Sequence, residues 1–357
     1  MHANFFSPVS RIFELSRLGT VIFCLAVAVL MTTAPWTGNA ARAQQSGAVP
    51  GGAFGTTNDS QLWRDLRHGA PGVVSLPDKR HAVLIQSEGE AWRSLRNGPI
   101  STWGSWLLLA SIAGTAIYFG LRRQVKIPGG RSGKTLSRFS NTERVIHWYV
   151  ASTFILMAVS GLIILYGRYV LTPLIGPEAF SVIASASLQG HNLFGPLFIV
   201  GIFCMGLVYL KDNLLTVADL VWLKRGGGLF GGHAPSWKYN FVEKGWFWLA
   251  VILGGVLSLS GLLMEFPSYF TDRWDFQVAN IFHAIAAIIV VTVAIGHIYL
   301  GLWGVEGALE GMTAGQVDVN WAKEHHSLWA EAELAKAGEG RKPDEELAVV
   351  VTPPTDT

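Results

Sequence analysis

Residues 278–302 read VANIFHAIAAIIVVTVAIGHIYLGL, an apolar run interrupted by His283 and His297. At 1.5 Å per residue these 25 residues cover roughly 37 Å, enough to cross the hydrocarbon core of a bilayer, so the run predicts a transmembrane helix. The two histidines are fourteen residues apart, which sets them about 21 Å apart along the axis and within about 40° of one face. One helix therefore presents two imidazoles at two membrane depths. A polar side chain buried in lipid is costly and marks function by default.

Four further apolar runs, at 102–121, 146–166, 191–210 and 246–264, lie upstream. Together they predict an all-α integral membrane protein: a four-helix transmembrane bundle over residues 146–304 and one additional N-terminal transmembrane helix at 101–122. Composition agrees, since half of the 357 residues are hydrophobic and only 15% are charged. A net charge of +2 gives no basis for nucleic-acid binding. The two cysteines, Cys24 and Cys204, sit in apolar runs, which excludes a disulfide framework and a cysteine-held iron–sulfur cluster.

The N-terminus carries Arg11 and Arg17, then an apolar run at 21–31, then Ala41-Arg42-Ala43. Residues 1–43 therefore predict a signal peptide, with an uncleaved anchor as the alternative. Residues 44–100 predict an exported segment with little core. A basic loop at 123–145 follows the first span, carrying Arg122, Arg123, Lys126, Arg131, Lys134, Arg138 and Arg144 along its length and edges. Later loops carry one, five and one basic residues in turn. This alternation puts the first loop and the tail at 305–357 in the cytoplasm and the N-terminal segment in the periplasm of a bacterial inner membrane, although Arg93 and Arg96 pull the other way.

With that topology, His147 opens its span at the cytoplasmic face and shares a depth with His297. His191 opens its span at the periplasmic face and shares a depth with His283. Two axial imidazoles at each of two depths suit two stacked haems, whereas zinc needs three or four ligands at one point. No C-x-x-C-H occurs, so such haems would be b-type and non-covalent. Gly161, fourteen residues after His147, falls at the depth of the other haem and could clear that ring. Electrons would leave to a lipid-soluble quinone, and the polar segment 238–244 offers Asn240 and Glu243 at the cytoplasmic depth. The His325-His326 pair, flanked by Lys and Glu, is expected on a solvated or partner-facing helix, and the chain end is expected to be disordered.

Arg144-Val-Ile-His147-Trp148, Gln189-Gly-His191-Asn-Leu-Phe-Gly195, Lys238-Tyr239-Asn240, Ile281-Phe-His283-Ala and Gly296-His297-Ile-Tyr-Leu-Gly-Leu-Trp303 occur in that order. The set, with 307–312 and 321–326, resembles the gamma, cytochrome-b subunit of membrane-bound formate dehydrogenases. Leu84 to Trp92 with Asn97-Gly-Pro99 is similar to a proteobacterial form with an exported N-terminal extension. The resemblance implies that His147 and His297 bind a cytoplasmic-side haem iron and His191 and His283 a periplasmic-side one. It also implies that Asn240 lines a quinone pocket. Where that family often reads Ala-Gly-Gln after this Asn, the chain reads Phe241-Val242-Glu243, which leaves Glu243 as a proton donor. The implied partners are an iron–sulfur beta subunit and a molybdenum- or tungsten-containing alpha subunit that oxidises formate. Alternatives are the equivalent subunit of a nickel–iron hydrogenase or thiosulfate reductase, a histidine-based metal transporter, and a pure membrane anchor.

Overall fold

The structure is a computed structural model that describes residues 64, 68, 72–73, 83–85, 87–228, 234–266 and 273–339. The expected signal peptide, most of the exported segment and the chain end lie outside these residues. Among the described residues, five helices are long and apolar enough to cross a membrane. They are α1 (Ser101–Arg122), α2 (Asn141–Val170), α3 (Thr172–Tyr209), α4 (Phe241–Glu265) and α5 (Arg273–Tyr299).

The chain divides into two compact units, one of residues 1–102 and 263–282, the other of residues 103–262 and 283–357. In the first, helix Ser87–Leu95 leads towards α1 through a kink at Gly98, where Pro99 follows. The Trp92 indole N–H donates to the Asn280 side-chain oxygen at 3.3 Å.

In the second unit, α2 begins earlier than the apolar run at 146 implies. Ser140 and Glu143 form a capping box: the Ser140 hydroxyl accepts from the Glu143 N–H and the Glu143 carboxylate accepts from the Ser140 N–H at 2.8 Å. His147 therefore lies two turns inside the helix. The larger correction concerns His191, which does not open its span. Helix α3 starts at Thr172, with a break at Gly176, whose φ of 82° is left-handed. Pro177 follows the break, at the start of a new helical stretch where its missing N–H costs nothing. Residues 177–190 then continue the helix up to His191, where a loop was expected.

The tail and the first basic loop are also more ordered than expected. Thr135–Ser137 pairs antiparallel with Gln316–Asp318, placing Leu136 opposite Val317. Ile127, Val317, Trp321, Ala322, Trp329 and Ala330 form a buried cluster between loop and tail. Gly315 is required in this turn: its φ is 82°, and a Cβ there would lie 2.9 Å from the Phe139 carbonyl oxygen. Arg144 and the Trp148 indole of α2 donate to the Thr313 and Met312 carbonyls, tying the tail to the bundle.

Candidate functional site

The four histidines meet in two pairs. On α2 and α5, the His147 and His297 ring centroids are 6.3 Å apart; on α3 and α5, those of His191 and His283 are 6.0 Å apart. Two metal–imidazole bonds of about 2 Å, with about 1 Å more from each nitrogen to its ring centre, separate imidazoles on opposite sides of one ion by about 6 Å. Both pairs have the spacing that one iron between two imidazoles requires. Among the described residues, no three His, Cys, Asp or Glu side chains converge as metal donors, so a zinc-type site gains no support.

The surroundings of the two pairs differ. At His191/His283, the Ser160 hydroxyl of α2 lies 2.9 Å from His191 Nδ1 and the Ser260 hydroxyl of α4 lies 3.0 Å from His283 Nδ1. Gly161 and Gly261 follow these serines; a Cβ on them would lie 3.2 Å from His191 Cε1 and 3.4 Å from His283 Cε1 respectively. Gly161 thus gives way to the imidazole itself. At His147/His297, His147 Nδ1 is buried without a hydrogen-bond partner among the described residues. Trp246 stacks on His297 with centroids 5.0 Å apart.

Asn240 and Glu243 stand at the start of α4. The Asn240 side-chain oxygen accepts from the Val242 and Glu243 N–H groups, both at 3.0 Å, and Glu243 accepts from the Asn240 N–H at 2.9 Å. This too is a capping box, so the Asn240 amide nitrogen is the end left to reach a ligand. Glu243 also pairs with Arg138 at 3.2 Å, and a carboxylate held by a guanidinium and a backbone N–H is a poor proton donor. Arg138 donates to His326 Nε2 at 2.9 Å, while His326 Nδ1 donates to the Trp237 carbonyl at 2.9 Å. His326 is 1% exposed, contrary to the expected solvated face. Burial, followed by the Arg138 charge, lowers its pKa to about 3.

Sequence reasoning missed Ser160, Ser260, Gly261 and Trp246. A usable signal existed for the first three, because Ser160-Gly161-Leu162 and Ser260-Gly261-Leu262 repeat the same tripeptide one hundred residues apart.

Five apolar helices and two facing imidazole pairs define the class, a membrane cytochrome of the haem-b type. Residues 138–315 match the family described as prokaryotic cytochrome b561. The chain is 32% identical over 201 residues to the formate dehydrogenase cytochrome b556(fdo) subunit of Escherichia coli K12, covering 55% of this chain and 92% of that one. It is 30% identical over 221 residues to the nitrate-inducible formate dehydrogenase cytochrome b556(Fdn) subunit of the same organism, covering 60% and 97%. With the formate dehydrogenase cytochrome b556 subunit of Haemophilus influenzae the identity is 26% over 205 residues, covering 55% and 83%. The chain belongs to the prokaryotic cytochrome b561 family, as a cytochrome b subunit of the formate dehydrogenase type. It is a multi-pass membrane protein whose cofactor is haem b.

Proposed function

We propose that the chain binds two b-type haems, one between His147 and His297 and one between His191 and His283, and that it anchors a formate dehydrogenase complex and carries its electrons across the membrane to quinone. The observation that carries this reading is the pair of imidazole separations, 6.3 and 6.0 Å. A haem with both axial positions filled transfers single electrons and leaves no open site for substrate. The chain's part is to hold four ligands at two depths, about 21 Å apart along α5, and to keep that path inside an apolar bundle.

The orientation proposed is N-terminal segment in the periplasm and tail in the cytoplasm of a bacterial inner membrane. The basic residues around 122–144 support it. Electrons then enter at His191/His283 from an iron–sulfur beta subunit, which receives them from a molybdenum- or tungsten-containing alpha subunit. They leave to quinone beside His147/His297, where Asn240 is the proposed contact. Because the relatives above are formate dehydrogenase subunits, a hydrogenase or thiosulfate reductase partner is less well supported.

Haem stoichiometry tests the ligand assignment. Pyridine haemochrome analysis should give two haems per chain, falling to one in His283→Ala or His147→Ala, with different absorption bands lost in each. If either substitution leaves both haems in place, the pairing is wrong. Recovery of formate-oxidising subunits with the tagged chain tests the complex.

A further inference from the structure

Ser160 and Ser260 occupy matching positions on α2 and α4, and each does two things at once. The Ser160 hydroxyl donates to the Leu156 carbonyl and the Ser260 hydroxyl to the Val256 carbonyl, both at 2.6 Å and both one turn back along the helix. A hydroxyl has one proton to give. With that proton committed to the carbonyl, the oxygen can only accept from the imidazole nitrogen 2.9 or 3.0 Å away. Nδ1 of His191 and of His283 must therefore carry the hydrogen. Nε2 is left unprotonated on both histidines.

The glycine after each serine complements this arrangement. A side chain at position 161 would press on His191, and one at 261 would touch His283. Each Ser-Gly step thus supplies an acceptor and a bare stretch of helix for one imidazole. No equivalent exists for His147, whose Nδ1 is buried without a partner among the described residues.

We propose that Ser160 and Ser260 are positioning residues that fix the tautomer and ring orientation of His191 and His283, and that this support makes the His191/His283 pair the stronger electron donor to an iron. The proposal rests on the haem-ligand reading above. A hydrogen bond from the distal ring N–H raises ligand basicity. A more basic pair of axial ligands favours the oxidised metal and lowers its reduction potential. The two centres would then be unequal in the order that sends electrons from His191/His283 towards His147/His297.

Potentiometric titration and EPR of the assembled complex test this. In Ser160→Ala/Ser260→Ala, the lower-potential haem should titrate at a higher potential with altered low-spin g-values, while the other haem is unchanged. Ser→Thr at both positions, which keeps the hydroxyls, should return both readouts towards wild type. Each single Ser→Ala variant retains one hydroxyl and should give a smaller shift in the same direction, a reading that survives if the double variant assembles poorly. Unchanged potentials and g-values in the alanine variants would overturn the proposal, as would a shift confined to the higher-potential haem. Its failure is separable from failure of the ligand assignment: His283→Ala retaining two haems refutes the assignment, whereas loss of one haem there with silent serine variants refutes only the role of the hydroxyls.

Discussion

Trp246 lies nearly flat on His297, with ring centroids 5.0 Å apart and planes inclined by 23°. The indole comes from the second turn of α4, a long helix that carries no histidine of its own. Its position explains how α4 shapes the His147/His297 end of the bundle without supplying a ligand. A ring stacked on an imidazole restricts its rotation about χ2 and so holds its orientation.

Trp246→Ala should therefore loosen that centre selectively. An aromatic contact of this kind contributes about 0.5–1.5 kcal/mol, so haem affinity at the pair should fall by roughly two- to tenfold. Haem titration of the apoprotein, read by the split between two binding phases, would measure it. Two phases with wild-type affinities would show that the stacking has no role in holding the ligand.

The two glycines against the imidazoles allow a comparison. A Cβ at position 161 would sit 3.2 Å from His191 Cε1, tighter than the 3.4 Å between a Cβ at 261 and His283 Cε1. Gly161→Ala should shift the visible bands of one haem more than Gly261→Ala does. The reverse order, or no shift in either variant, would contradict the close approach. Because both alanines favour helix formation, loss of haem could not be blamed on helix propensity.

A third prediction concerns the tail. His326 is buried against Arg138, Glu243 and Trp237, and its pKa is lowered from an ordinary 6.5 to about 3, first by burial and then by the Arg138 charge, with Glu243 opposing. Above pH 6.5 the ring is neutral whether the tail is docked or not. Below it, the undocked ring takes up a proton and the docked ring does not, so docking weakens as pH falls towards 3, by up to about 1.4 kcal/mol per unit. Hydrogen exchange across Val319–His325 should quicken between pH 7 and pH 5 after correction for the intrinsic rate. His326→Gln should flatten that dependence, and an unchanged slope in the variant would assign the effect elsewhere.

The membrane class, the number of spans and the partners within each histidine pair were legible in the chain because hydropathy, loop charge and helical rise are local quantities. Helix starts were legible too, but by a different signal. Ser140-Asn-Thr-Glu143 and Asn240-Phe-Val-Glu243 both fit the capping-box pattern, whereas hydropathy alone begins the helices at 146 and 246. For α3 the misreading came from Gly176, Pro177 and Gly190, which suggest a loop. The helix restarts at Pro177, and Gly190 lies inside it. His326 was not legible at all. Lys323 and Glu324 beside it point to a solvated face, whereas the groups that bury it, Arg138 and Trp237 among them, lie 188 and 89 residues away in the chain.

The last prediction separates two roles that meet in Asn240. Its side-chain oxygen caps α4, so Asn240→Ala removes a cap costing about 0.5–2 kcal/mol and would slow turnover even if quinone never touched this residue. Asn240→Ser is the cleaner change. Serine retains a capping oxygen and loses the amide nitrogen, the group free to face a ligand. If that nitrogen contacts quinone beside the His147/His297 haem, Asn240→Ser should slow quinone reduction several-fold while both haems remain bound and reducible by the partner subunits. In proteoliposomes, the wild-type complex should build a membrane potential, because each electron moves inward against about 2.3 kcal/mol per 100 mV. Wild-type quinone kinetics in Asn240→Ser would leave the residue a cap alone, and turnover without a potential would move quinone reduction to the opposite face.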